Sequence, residues 1–424
     1  MKEFLEKLPF YNAAVLPYHF AQSVIAGVKY GFPGRKLRVI GVTGTNGKTT
    51  TCFMIWKMLN ASGRKTGLMT TVAWGGIGGD EKDLHAQREH MTTVSPELLN
   101  QRIKKISESG AEFLVLELTS HALAQFRALG IPIEIAVFTN LTHEHLDYHR
   151  TMDRYAAAKA KLFKKAKFGV INADDKYASV FKKSIEKYIT YGIKNGEKRA
   201  KSVKLGVSGV KYSCGDINIE TRLAGEFNVY NSLAAICVGE KLGLSTEEIE
   251  CGIAALDGVE GRMSSFELGQ DFTALIDYAH TPDAFEKLLP DVKAATKGRL
   301  IVLFGSAGGR RDPSKRAPQG EIAGKYADIV ILTEEDDRET PGMEILEQIA
   351  AGARKAGKVD NENLFFELNR PTAILKACKM AKKGDTVLFL GKGHEKTIER
   401  ADGEHPYYEP DEIRKAILKV IKIK

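Results

Sequence analysis

From Lys36 onward, short apolar runs alternate with stretches of helical periodicity. LRVIGVTG (37–44) is a β-branched run ending in glycines, and TTTCFMIWKML (49–59) after it reads as a helix. FLVLEL (113–118), IEIAVFTNL (133–141) and FGVINAD (168–174) repeat the strand pattern between further helical stretches. Strands without polar alternation are covered on both faces. The pattern therefore predicts an α/β architecture with a mostly parallel, doubly wound sheet and functional groups at the C-terminal strand ends. Between 202 and 222 the period switches to two, with Val203, Leu205 and Val207 and then Ile217 and Ile219 around Gly215, which predicts hairpins appended to the sheet. A helix over NVYNSLAAICVGEKLG (228–243) follows. After Gly261-Arg262 a second strand series, FTALIDYA, RLIVLFG, ADIVILT and DTVLFLG, predicts another α/β domain. The expected organisation is a short extension over 1–37, a central domain over 38–262 and a C-terminal domain over 263–424.

The stretch Ala13 to Val28 is apolar but interrupted by Pro17, His19, Gln22 and Ser23, and too short to span a bilayer, so it reads as a docking helix. Peripheral membrane contact through Tyr11, Tyr18, Phe20 and Tyr30 is the lesser alternative. Length and composition (424 residues, 43% hydrophobic, 27% charged) fit an ordinary globular protein of two or three domains. Lys and Arg exceed Asp and Glu by 62 to 54. The clearest basic cluster, Lys159, Lys161, Lys164, Lys165 and Lys167, lacks interleaved aromatics, which argues for small anions and against nucleic acid. Five scattered cysteines, all read as packing residues, and a start that carries alternating charges imply a reducing, cytoplasmic setting without a signal peptide. A monomer is expected.

Chemistry concentrates first in Gly41-Val42-Thr43-Gly44-Thr45-Asn46-Gly47-Lys48-Thr49-Thr50, between a strand and a helix. There glycines let backbone N–H groups converge on phosphate oxygens, Lys48 would neutralise the β/γ-phosphates, and the Thr49 hydroxyl would bind Mg²⁺. The central domain is thus expected to be a P-loop domain and the C-terminal one Rossmann-like. Glu117 closes an apolar strand, and TNLTHEHLDYH (139–149) follows the next one, so Glu117 and His145 can meet above the sheet around a second Mg²⁺. Chemistry alone leaves His145 open between metal ligand and hydrogen-bonded structural histidine.

GVTGTNGKTTT resembles the Mur ligases, which build the peptidoglycan stem peptide, and their folylpolyglutamate and cyanophycin synthetase relatives. Later motifs resemble most the branch that adds the third, diamino residue, over roughly 38–424. The resemblance implies ATP and Mg²⁺ as cofactors, with Gly44 to Thr50 on the nucleotide and Glu117 and His145 on the second metal. It implies that Lys159 is carbamylated by CO₂ and bridges the metals; without it, Lys159 reads as part of the basic face. Thr92, Thr93, Thr119, Ser120 and Arg127 match positions that contact the muramoyl peptide, although Val94 stands where the family has Pro. Asn228 and Asn231 match the adenine-side motif, with helix capping as the plainer reading. Arg262, Asp277 and His280 match groups beside phosphate, ribose and ATP. In the loops GSAGGRRDPSKR, TEEDDRETP and GKGHE, Arg311 and Arg338 would hold carboxylates, and Gly391 and Glu395 a distal amine. The family's Asp-Asn-Pro-Arg reads Glu335-Asp336-Asp337-Arg338 here, which keeps the Arg and adds negative charge that could equally suit lysine or ornithine.

The expected activity is an ATP-dependent amide-bond ligase that joins an amino acid, meso-diaminopimelate or L-lysine, to a UDP-MurNAc-dipeptide-like acceptor through an acyl phosphate. Residues 1–37 are shorter than the family's uridine-binding domain, which is on the order of a hundred residues, so UDP recognition is not implied. The alternatives are a γ-glutamyl ligase of the folylpolyglutamate or cyanophycin synthetase type and a non-catalytic nucleotide-binding scaffold.

Overall fold

The computed structural model describes residues 15–423 apart from 88, 90, 207, 208 and 310, so Tyr11 and Val207 lie outside the described residues. The chain forms two compact units. The first comprises the described residues up to Lys204, with Lys211–Thr221 and Phe227–Leu256; the second comprises Leu205–Val210, Arg222–Glu226 and the chain from Asp257 onward.

In the first unit nine strands form one sheet: β1 (Arg38–Thr43), β2 (Thr66–Met69), β3 (Ala73–Gly75), β4 (Leu84–Ala86), β5 (Phe113–Glu117), β6 (Ile133–Phe138), β7 (Ala166–Asn172), β8 (Tyr188–Gly192) and β9 (Lys198–Arg199). Their order is β4-β3-β2-β5-β1-β6-β7-β8-β9, parallel except for the β2-β3-β4 meander. The buried sides of β1, β5 and β6 carry Val39, Ile40, Val115, Leu116, Ile135 and Val137, all essentially without exposure; each such side chain contributes about 1.5–3 kcal/mol on leaving water. Register then positions the chemistry. β1 pairs in parallel with both β5 and β6, Val42 opposite Glu117 and Thr43 opposite Phe138, so three strand ends finish side by side. The helix Lys48–Ala61 is buried on nearly every face, which explains its all-round apolar sequence.

The alternating segment forms β10 (Lys201–Gly206), β11 (Gly209–Cys214) and β12 (Ile217–Thr221), a separate three-stranded sheet rather than hairpins added to the main one. Its buried residues Tyr212, Cys214, Ile217 and Ile219 need a surface of their own, and the Tyr212 hydroxyl bonds Ser232 Oγ at 2.7 Å on the helix Glu226–Lys241. One cysteine departs from the packing expectation. Cys251 is exposed, on the outward side of the helix Thr246–Ala254, whereas Cys52, Cys214, Cys237 and Cys378 are buried.

In the second unit β13 (Ser264–Phe266), β14 (Thr273–Asp277), β15 (Leu300–Phe304), β16 (Ile329–Leu332), β17 (Leu364–Phe366) and β18 (Thr386–Leu390) lie in the order β13-β14-β18-β15-β16-β17. Only the edge strand β13 is antiparallel. The loops after β14, β15, β16 and β18 consequently gather at one sheet edge. A ribbon of β19 (Thr397–Arg400) and β20 (Gly403–Pro406) follows. Among the described residues no helix is long and apolar enough to cross a membrane.

Candidate active site

β1 ends at Thr43 and the next helix starts at Lys48, so the phosphate loop turns within four residues. At Gly47 φ is 79°, and a Cβ would stand 2.3 Å from Asn231 Oδ1; at Gly44 it would stand 1.9 Å from Thr139 Oγ1. Only glycine permits these approaches. The loop is clamped from β6: Asn46 N–H donates to Asn140 Oδ1 (2.9 Å), while Asn140 Nδ2 and Thr139 Oγ1 donate to Asn46 O (3.0 and 2.7 Å). Thr45 Oγ1 meets the Tyr155 hydroxyl at 3.2 Å, Thr50 is buried in the first helical turn, and Lys48 Nζ donates to Thr45 O at 2.6 Å. Asn231 Oδ1 accepts from Thr51 Oγ1 (3.2 Å), and Asn231 Nδ2 donates to Asn228 Oδ1 (2.9 Å), so the Asn pair braces the loop. Sequence reasoning missed Thr139, Asn140 and Tyr155; for Thr139 and Asn140 the available signal was polar residues directly after an apolar strand.

Glu117 is buried at the end of β5, and its Oε2 accepts from Thr49 Oγ1 (3.0 Å), Thr71 N–H (3.0 Å) and Thr71 Oγ1 (3.1 Å). Lys159 is equally buried, on the helix Met152–Ala160, and its Nζ donates to Gly44 O at 2.5 Å. Burial, then the neighbouring Lys48 charge, pushes its amine well below the usual lysine range, against the pull of Glu144 and Glu117. His145, at φ 56°, packs edge-on to His121 (4.8 Å) and lies 3.6 Å from Glu144 Oε2. His149 Nε2 and Ser120 Oγ bond at 2.9 Å. Burial, reinforced by neighbouring imidazoles, lowers His121 to about 3 and His149 to about 4, so these two rings are neutral at pH 7.

Thr93 Oγ1 donates to Glu117 O (3.1 Å) and accepts from Thr119 N–H (3.2 Å), and Arg127 donates to Thr93 O. Thr119 caps the short helix Ser120–Ala124. Thr92 is half-buried beside them, and Val94 takes a core position, which accommodates the departure from Pro. As a donor set for Mg²⁺, Thr49 Oγ1 and the Glu117 carboxylate fit: both are hard oxygens, 3.0 Å apart. Among the described residues no group of three or more His, Cys, Asp or Glu side chains is arranged to hold a metal ion.

The second unit carries its own cluster. Asp277, ending β14, accepts from Met263 N–H (2.9 Å) and Ala279 N–H (2.8 Å); burial raises its carboxyl pKa, opposed by Arg262. Arg262 stacks 4.7 Å over Tyr278, and His280 Nδ1 lies 2.8 Å from Tyr278 O. Lys392, fully buried, donates to Asp336 Oδ1 (2.8 Å) and pairs with Glu395 Oε2 (2.5 Å), while Tyr278 donates to Glu395 Oε1 (2.9 Å). Arg338, at φ 51°, is engaged by Glu399 Oε2 at 2.8 Å. Arg311 is exposed. Buried Glu335 borders Gly391, where a Cβ would stand 2.6 Å from its Oε2. Arg262, Asp277 and His280 are therefore one neighbourhood, and Asp336, Lys392 and Glu395 another; Lys392 was the anchor that sequence reasoning overlooked.

Comparison with known proteins matches both parts of the chain. Residues 42–239 match the Mur ligase middle domain and residues 261–393 the Mur ligase, glutamate ligase domain. A UDP-N-acetylmuramyl-tripeptide synthetase from Roseiflexus sp. (strain RS-1) is 40% identical over 94% of this chain and 82% of its own length. The UDP-N-acetylmuramoyl-L-alanyl-D-glutamate--2,6-diaminopimelate ligase 1 of Clostridium acetobutylicum is 38% identical over 88% of this chain and 77% of its own. A solved structure of a UDP-N-acetylmuramoyl-L-alanyl-D-glutamate--2,6-diaminopimelate ligase superposes with a TM-score of 0.62 at 32% identity, covering 90% of this chain and 78% of that one. Two family matches in chain order, on a phosphate loop with its acidic strand end, establish that the chain belongs to the Mur ligase family and is an ATP-dependent ligase.

Proposed function

We propose that this ligase extends the peptidoglycan stem peptide in the cytoplasm, joining a diamino acid, meso-diaminopimelate or L-lysine, to a UDP-MurNAc-dipeptide-like acceptor. A carboxylate oxygen of the acceptor attacks the γ-phosphorus of ATP, the bond to ADP breaks, and an acyl phosphate forms. The incoming amine then attacks the acyl carbon, phosphate leaves, and the amine proton passes to solvent. Backbone N–H groups from Thr45 to Lys48 would cradle the phosphates, with Lys48 Nζ moving from Thr45 O to them. Mg²⁺, held by Thr49 and Glu117 with His145 and carbamylated Lys159 as further ligands, would offset the charge gathering on the transferred phosphoryl group.

The observation that carries the reading is the Thr49–Glu117 contact beside the loop, with Lys159 buried against Gly44. A neutral amine is the form that adds CO₂: its lone pair bonds carbon, a proton leaves, and a neutral side chain becomes an anion next to Lys48. Thr93, Thr119, Ser120 and Arg127, with Thr92, would hold the acceptor peptide; Arg262, Asp277 and His280 would serve the nucleotide. Asp336, Glu395 and Glu335, beside Gly391, would take the distal ammonium of the amino acid, and Arg311 and Arg338 its carboxylates.

The test is ADP release with UDP-N-acetylmuramoyl-L-alanyl-D-glutamate, offered meso-diaminopimelate, lysine and ornithine in turn, with added bicarbonate and with Lys159→Ala alongside. A tripeptide product from one amine, lost in the variant, is expected. Turnover only with a γ-glutamyl acceptor, or ATP hydrolysis indifferent to any acceptor, would overturn the assignment.

A further inference from the structure

The helix Leu16–Tyr30 is built inside out. Its buried side carries the small residues Ser23, Ala26 and Gly27, while Tyr18, Ile25 and Val28 face outward, Ile25 and Val28 each 66% exposed. A surface helix of a soluble domain normally turns its bulky apolar residues to the core. Charge is equally one-sided: no Asp or Glu occurs from Lys7 to Gly79. Phe20, half-exposed on the same helix, meets Phe126 edge to face at 5.6 Å. Phe126 is held at φ 58°, a left-handed conformation unfavourable for a bulky side chain. Lys161 Nζ stands 5.6 Å over its ring. Phe126 and Leu123 floor a depression of about 140 Å³ rimmed by Lys161, Lys164 and Lys165. Among the described residues none of these three lysines pairs with a carboxylate, whereas Lys29 at the far end of the helix is held by Glu97. Lysines without a carboxylate partner thus crowd an apolar floor.

We infer that the outward face of the helix Leu16–Tyr30 and the lysine-rimmed depression beside Phe126 together dock on an anionic lipid surface. Apolar and aromatic side chains enter the headgroup boundary while the lysines meet lipid phosphates, the division of labour of an interfacial helix. A second copy fits less well, because a two-fold pairing of this face would set its unpaired lysines against one another. The inference is independent of the amino acid or acceptor that the ligase uses.

The full-length protein is sedimented with vesicles of phosphatidylcholine alone and of an equimolar phosphatidylcholine–phosphatidylglycerol mixture. Binding to the mixture only is expected, released at ionic strength near 1 M, where screening shortens to about 3 Å. Replacing Lys161, Lys164 and Lys165 with Gln should weaken binding roughly a hundredfold, near fivefold per lysine. Ile25→Asp with Val28→Asp should abolish it while circular dichroism shows an unchanged fold. No binding to either vesicle, equal binding to both, or variants that bind like the parent would overturn the inference. So would a concentration-dependent dimer in sedimentation velocity that the Ile25→Asp/Val28→Asp protein lacks, if vesicles fail to bind.

Discussion

Among the described residues two lysines are fully buried, and their surroundings treat them in opposite ways. Lys159 donates to a backbone carbonyl, and burial with the nearby Lys48 drives its pKa well down. Lys392 pairs with Asp336 and Glu395, and these carboxylates raise its pKa even though burial works against the charge. Removal from water costs either ammonium the same kind of energy; what differs is whether a carboxylate within hydrogen-bond reach offsets it. The phosphate-loop side is thus made from backbone, hydroxyls and an amine without a paired carboxylate. The loops of the second unit are made from locked ion pairs, with Arg338–Glu399, Arg400–Glu334 and Arg370–Glu409 alongside Lys392.

The contrast breaks most visibly in stability. Lys392→Met leaves two buried carboxylates without a counter-charge and should cost about 3–5 kcal/mol, read from urea unfolding, whereas Lys159→Met should leave stability unchanged or raise it. If both variants lose stability equally, the two lysines are not different in kind. In turnover the order reverses: Lys159→Ala should lower ligase turnover roughly 10²–10³-fold, with little change in melting temperature. Gly47→Ala, forced to φ 79° against Asn231, should cost about 1 kcal/mol of stability and weaken nucleotide binding measured by calorimetry.

Asp337 sharpens the acidic side. Burial, with Glu334, Glu335 and Asp336 around it, raises its pKa to about 6. The folded state therefore holds this proton more tightly than the unfolded chain does, and the stability it contributes is lost as pH rises from about 4 through about 6. Asp337→Asn should flatten that part of the stability profile and raise the melting temperature above pH 6 without changing it at pH 4. The smallest effect belongs to exposed Cys251: Cys251→Ser should change stability by no more than about 0.5 kcal/mol, while removing the one thiol that a bulky maleimide labels rapidly in the folded protein.

Much of this was legible in the chain. Unbroken runs such as FLVLEL and IEIAVFTNL specified strands covered on both faces, and the glycine spacing ahead of Lys48 specified the phosphate loop, because these signals are local and periodic. The alternation between 202 and 222 announced strands, yet could not say that they would form a sheet of their own, since pairing partners are chosen across space. The same limit explains Cys251, read as packing when its helix turns it outward. It also explains Thr139 and Asn140, whose clamp on Asn46 exists only because β6 lies beside β1.

The sequence by itself determined the element types, the two α/β series, the loop that receives phosphate and the carboxylate closing β5. Tertiary structure alone decided which buried lysine has its pKa driven down and which is held as a paired cation, that Asn231 braces Gly47, and that the helix Leu16–Tyr30 turns its apolar face outward. The physical reason is that strand and helix patterns are written in neighbours along the chain. Solvation and charge pairing are instead set by neighbours in space, often more than a hundred residues away, as Lys159 is from Gly44.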